Sequence, residues 1–230
     1  MNESLQRSRF EAVILAAGYS SRMDRWKPEV IVDALPLLVH ALSPAIEFCD
    51  KVFVVGGYRY DDVEPLIRKS DRFSESQLHK VELVENKSFS SGMFSSVKAG
   101  ISKVSLSADG VFVVPGDMPF VQVETYKELA RRLYQRAERD VFIPAVKLPD
   151  SLTGTGRQQK KGHPILIRTF RVPDILSHND DAILRTVLGE FPTEQCLVDD
   201  KGICIDLDDN SDLAKYISYQ SKPALEEKGN

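Results

Sequence analysis

Short apolar, β-branched runs punctuate the chain: AVILAAG from Ala12, KVFVVGG from Lys51, KVELVEN from Lys80, GVFVVPGD from Gly110 and DVFIPAV from Asp140. Continuous runs of this length predict strands buried on both faces, as in a parallel sheet. The segments between them carry helical spacing. LPLLVHAL opens with Pro36 at a first-turn position, where a missing N–H costs nothing. DDVEPLIRK starts with acids that suit a helix dipole, and Pro65 is expected in its first turn. SSGMFSSVKAGISKV offers Ser90 or Ser91 as N-cap, with Met93 and Val97 facing the core. VETYKELARRLYQRAER puts Tyr126, Leu129 and Leu133 on one face and its arginines on the other. Strand–helix alternation predicts βαβ units with right-handed crossovers, hence a three-layer α/β/α protein with a mostly parallel sheet.

The rhythm changes after Ala145. KLPDSLTGTGRQQKKGHPILIR reads as a flexible loop, centred on 151–162, that enters a strand at Pro164 to Arg168. A helix near Ala182 to Leu188 and a strand GICIDLD ending at Asp208 are expected next. With 230 residues, 42% of them hydrophobic, the chain can bury one substantial core. No internal repeat divides it, so residues 1–230 read as one domain with a core over about 10–218 and a frayed tail, SKPALEEKGN. The net charge is −4 with no long block of one sign, which argues against a nucleic-acid surface or a basic membrane anchor. No signal peptide or membrane span is visible, and a cytoplasmic location is expected. Cys49, Cys196 and Cys204 lie far apart and read as reduced core thiols, not as a zinc site or disulfide framework.

The first strand raises the chemical question. VILAAGYSSRMDRWK passes from buried apolar residues to a run of near-minimal side chains, followed by Arg22 and Lys27. In open α/β sheets ligands gather at the carboxyl ends of strands, and small residues let backbone N–H groups approach an anion. The G-x-x-x-x-G-K-[ST] phosphate loop is absent, and G-x-G-x-x-G fails because Ser20 and Met23 occupy its later glycine places. An ordinary strand-to-helix turn would explain the small residues, but two cations flanking the same loop favour an anion. Gly116-Asp117 ends another buried strand, and Pro119 stops that ladder. Its carboxylate suits either Mg²⁺ or an N-cap. Ser91-Gly92 at a helix start offers backbone donors. His163 stands between a loop and a strand facing the same edge. The acidic run DLDDNSDLAKY reads by itself as a solvated turn.

Together these residues resemble the MobA-like NTP transferase family, most closely its molybdenum cofactor cytidylyltransferases. Leu15 to Met23 and Lys27 match the signature L-A-A-G-x-S-x-R-M-G-x-P-K, with Asp24 in place of its Gly and Trp26 in place of its usual Pro. NKSFSSGMFSSVKAG, GDMP, GHPILI and the closing DLDDNSDL match further family segments in the right order, and PLLVHAL matches as scaffold. The resemblance implies a Rossmann-like nucleotidyltransferase fold. It implies that Leu15, Ala16, Ala17, Gly18, Ser20, Asn86, Ser91, Gly92, Met93 and Gly116 bind the nucleotide, with Arg22 and Lys27 neutralising its phosphates. Asp117 and Asp208 would hold Mg²⁺, Asp206 would support them, and His163 would face the acceptor. The implied catalytic set is Arg22, Lys27 and Asp117. The implied reaction transfers CMP from CTP to a phosphorylated acceptor, molybdopterin, and releases pyrophosphate; transient contact with a molybdoenzyme follows. A sugar- or polyol-phosphate nucleotidyltransferase, or a non-catalytic nucleotide-binding accessory protein for cofactor insertion, are the alternatives. No nucleic acid or membrane partner is expected.

Overall fold

The structure, a computed structural model, describes residues 9–20, 25–147 and 159–207. Arg22, Asp24 and Asp208, most of the 151–162 loop and the C-terminal tail lie outside the described residues. Ten strands are described: β1 (Phe10–Ala16), β2 (Ile31–Val32), β3 (Leu35–Pro36), β4 (Lys51–Gly56), β5 (Val81–Glu85), β6 (Gly110–Pro115), β7 (Val141–Lys147), β8 (Gln159–Lys161), β9 (Ile165–Arg168) and β10 (Thr193–Leu197). The helices are α1 (Leu37–Phe48), α2 (Tyr60–Arg68), α3 (Glu75–Leu78), α4 (Met93–Ile101), α5 (Val123–Gln135), α6 (Val172–Leu176) and α7 (Leu184–Leu188). Apart from the small antiparallel pair β2–β3, the strands form one sheet in the order β10-β7-β9-β6-β1-β4-β5, with β8 also paired to β7. Only β8 and β9 run against the rest.

Period-two alternation in the central strands feeds two cores. Ala12 and Ile14 of β1 face a cluster built with α1, α2 and α5, where Tyr126, Leu129 and Leu133 are buried as their spacing predicts. Val13, Val111 and Val113 face the other side, against Val97 and Ile101 of α4 and the apolar sides of α6 and α7. This is the expected three-layer arrangement. Among the described residues no helix is long and apolar enough to cross a membrane.

Three local expectations change. Pro65 is the sixth residue of α2, past the first turn. It is solvent-exposed, so water can satisfy the carbonyl that loses its partner. No serine side chain caps α4; Gly92 stands at the cap with φ 116, a region that a Cβ disfavours. In place of the strand GICIDLD, the described residues 201–207 form a 3₁₀ turn over Lys201–Cys204 and no strand, because the Asp200 side chain accepts from the Gly202 N–H and turns the chain there. The strand at that edge is β10, whose sequence TEQCL buries only Cys196 and so lacks an apolar run.

Candidate active site

The strands β6, β1, β4 and β5 end side by side, and the segments following β1, β5 and β6 line a cleft of about 340 Å³. Leu15, Ala16, Ala17, Gly18 and Ser20 contribute its centre, while Gly116, Asp117 and Lys27 line it from the β6 side. Phe89, Gly92, Met93 and Ser96 line it from the segment beyond β5. Backbone bonds fix these loops to one another. The Gly116 N–H donates to the Leu15 carbonyl (2.8 Å), and the Tyr58 N–H donates to the Ala17 carbonyl (3.2 Å).

Ser20 takes a left-handed backbone (φ 57), and its hydroxyl accepts from the Lys27 N–H at 2.8 Å. That bond closes the loop on the start of a 3₁₀ turn at Lys27–Glu29. Trp26, the departure from the family's Pro, is buried in the core on the α1 side. The Arg59 guanidinium lies 4.7 Å from its ring centroid and pairs with Glu29 at 3.1 Å. Bulk and a cation–π contact therefore hold this corner. Lys27 is delivered to Asp117, with Nζ 3.2 Å from Oδ2.

Asp117 is tied to the closing segment as well. Its carbonyl accepts from the Leu207 N–H at 3.1 Å, and Leu207 is buried with Val30, Val32 and Leu37. Upstream, the buried Asp200 carboxylate accepts from the Gln122 N–H, the Thr125 hydroxyl and the Gly202 N–H, which staples residues 200–204 to the start of α5. Asp208 is the next residue after Leu207 and lies outside the described residues. Among the described residues no cluster of three metal-binding side chains occurs. Mg²⁺ does not require one, since it binds through one or two carboxylates completed by phosphate oxygens and water. The partly exposed Asp117 carboxylate at the cleft wall fits that pattern.

Not every expected nucleotide residue faces the cleft. Asn86 is buried, and its amide donates to the Ser95 and Ser96 hydroxyls (2.9 and 3.0 Å) while its carbonyl accepts from the Ser88 N–H (2.9 Å). It clasps the β5–α4 connection and does not line the cleft, because all its polar capacity is turned inward. Met93, expected in the core, is 66% exposed. It forms with Gly92 a lip shared with a second cavity of about 1380 Å³, and Ser91 lines that second cavity. His163 lines it too, with Lys160, Lys161 and Arg185. Burial pulls the His163 pKa below the ordinary histidine value; the Val113 backbone and the charges of Asp117 and Asp206 oppose this less strongly. Its Nδ1 is buried without a hydrogen-bond partner among the described residues. Phe89, Lys160, Lys161 and Arg185 were silent in the sequence, whereas Ser96 lay within a matched motif without a role of its own.

Residues 12–195 match the family model of the MobA-like NTP transferase domain. The chain belongs to this family. Molybdenum cofactor cytidylyltransferase of Escherichia coli (strain K12) is 26% identical over 122 residues, 53% of this chain and 58% of that protein. The bifunctional protein GlmU of Campylobacter hominis is 27% identical over 161 residues, 69% of this chain and 34% of that protein. The chain thus spans less than two thirds of the length of either relative. In structure it is similar to a homologue of Mycobacterium tuberculosis Rv0371c from Mycobacterium sp. strain JC1, with a TM-score of 0.69 and 22% identity over 93% of this chain and 97% of that one. That likeness is one of fold, and the family's fold is the α/β nucleotidyltransferase architecture described above.

Proposed function

We propose that the protein transfers CMP from CTP to a phosphorylated acceptor, molybdopterin, with release of pyrophosphate. The observation that carries this reading is the Lys27–Asp117 pair at one end of a cleft floored by Ala16, Ala17 and Gly18. A cation and a carboxylate beside a loop of small residues suit a triphosphate and its counter-ion. Lys27, with Arg22, neutralises the phosphates and stabilises the leaving pyrophosphate. Asp117, with Asp208, would hold Mg²⁺, which would supply positive charge to screen the reacting phosphates from one another. The acceptor phosphate is already an anion, so the site needs no general base, and alignment supplies the remaining rate.

The second cavity supports the choice of acceptor. Lys160, Lys161 and Arg185 line it together with Asp180 and Asp181, a mixed wall with one cation in excess, and about 1380 Å³ is roomy for a small polyol phosphate. His163 lines this cavity as well, and its burial disfavours the charged form of the ring. The similarity to molybdenum cofactor cytidylyltransferase favours molybdopterin, while the match to GlmU keeps a sugar phosphate as the second reading. We read the chain as one domain with its core over about 10–218, acting in the cytoplasm and meeting a molybdoenzyme transiently.

The deciding assay mixes the protein with each NTP, Mg²⁺ and either molybdopterin or a panel of sugar and polyol phosphates, and follows pyrophosphate. Release with CTP and molybdopterin is expected. Release only with a sugar phosphate transfers the assignment to the second reading. No release with any acceptor, despite CTP binding, leaves a nucleotide-binding accessory protein.

A further inference from the structure

The two ends of the nucleotide cleft differ in chemistry. In the sheet β6 lies on one side of β1, and β4 then β5 lie on the other. Asp117, which follows β6, and Phe89, which follows β5, therefore mark opposite ends. The β6 end carries the Lys27–Asp117 pair. The β5 end carries three aromatic rings from three separate loops. Tyr19 lies 4.9 Å from Phe89 and 5.5 Å from Tyr58 between ring centroids. Tyr19 is 55% exposed and Tyr58 40%, while Phe89 lines the cleft beside Ala17 and Gly18.

This cluster is held in place from below. The Tyr58 N–H is bonded to the Ala17 carbonyl. A Cβ at Gly57 would run into the Phe89 ring and the Ala17 carbonyl oxygen, so the bare backbone there lets the ring lie flush on the cleft floor. The Tyr19 ring leans on both others, at interplanar angles of 43° to Tyr58 and 53° to Phe89, and the residue still exposes 55% of its surface. A large exposed aromatic surface continuous with a ligand cleft invites a flat partner.

We propose that Tyr19, supported by Phe89 and Tyr58, is a stacking platform for the nucleobase. The inference rests on the nucleotide reading above: if the phosphates take the Lys27–Asp117 end, the base must lie toward β5. Stacking on a tyrosine face serves any base, since every base has a π-face. The platform therefore supplies affinity for nucleosides over bare phosphate chains, and leaves the choice among bases to groups on the cleft floor such as Ala17.

Calorimetric titration of the full chain with CTP and with inorganic tripolyphosphate tests this, in the unaltered protein and in Tyr19→Ala and Tyr19→Phe. The unaltered protein should bind CTP more tightly than tripolyphosphate. Tyr19→Ala should weaken CTP about tenfold and leave tripolyphosphate unchanged, and Tyr19→Phe should keep CTP affinity. Equal affinity for the two ligands in the unaltered protein overturns the platform but leaves the phosphate site standing. An Ala variant that loses both ligands alike overturns it too, because the ring would then be shaping the loop. Failure of the unaltered protein to bind either ligand removes the nucleotide reading, and the platform with it.

Discussion

Lys27 and Asp117 neutralise each other at the β6 end of the cleft, at 3.2 Å and with side chains only 15% and 26% exposed. The first comes from the turn after the β1 loop and the second from the end of β6. A metal–triphosphate would offer the lysine a new anion and the carboxylate a new cation, so binding amounts to an exchange of partners with little uncompensated charge at any stage.

Asp117→Asn keeps the shape and removes the charge. Mg²⁺-dependent turnover should fall by orders of magnitude, while the melting temperature drops modestly, because the mostly covered Lys27 ammonium loses this partner but the fold does not depend on the pair. Metal-free triphosphate should bind at least as well, since Lys27 no longer faces a carboxylate. Turnover, thermal melting and titration without metal check the three parts. Near-normal Mg²⁺-dependent turnover would reduce Asp117 to a loop residue.

Asn86→Ala removes the clasp on the β5–α4 connection. Leaving a buried partner such as the Ser96 hydroxyl unpaired costs about 1–3 kcal/mol. The variant should unfold at lower denaturant concentration and bind CTP more weakly, although the side chain does not line the cleft. If its denaturation midpoint is unchanged and CTP binding alone suffers, Asn86 contacts the ligand after all.

Ala17 sits on the cleft floor. Its methyl crowds a purine more than a pyrimidine. CTP should therefore bind better than GTP, and Ala17→Gly should narrow the gap. One methyl is worth only ~1–3 kcal/mol of discrimination, so a bias and not exclusion is expected. Equal dissociation constants for CTP and GTP in the unaltered protein would end the idea.

His163 has a folded pKa below the ordinary value of 6.5 because it is buried. Between the two values the unfolded chain binds the extra proton and the folded chain does not. Folding stability therefore falls as pH drops below 6.5, and levels off once the pH passes the depressed folded value. His163→Gln should flatten this part of the stability curve, read from denaturant midpoints between pH 5 and 7. A curve of the same slope in the variant would place the titration elsewhere.

The strands β1, β4 and β6 were legible because they are buried on both faces and so carry unbroken apolar runs. At the edge, β10 buries one side chain and resembles a loop on paper. Lys27, Asp117 and the Ala16–Gly18 floor were legible for a related reason: strand ends are predictable places, and unusual side chains there stand out. Asn86 shows the limit of pattern matching, which gives a residue's place but not the direction of its amide. Lys160, Lys161 and Arg185 share a cavity because β8 and α7 meet in space, and nothing in their separate stretches of sequence announces this.

Leu207 reaches back to Asp117 from late in the chain. During synthesis β1 and β6 leave the ribosome before the segment that carries Asp200 and Leu207, so the backing of the Asp117 loop arrives after the sheet centre can already form. A half-made chain can pair β1 with β6 but has no anchor beneath its carboxylate. The wall at this end of the cleft thus gains its backing only after residues 200–207 have been made and have folded back onto the finished sheet centre.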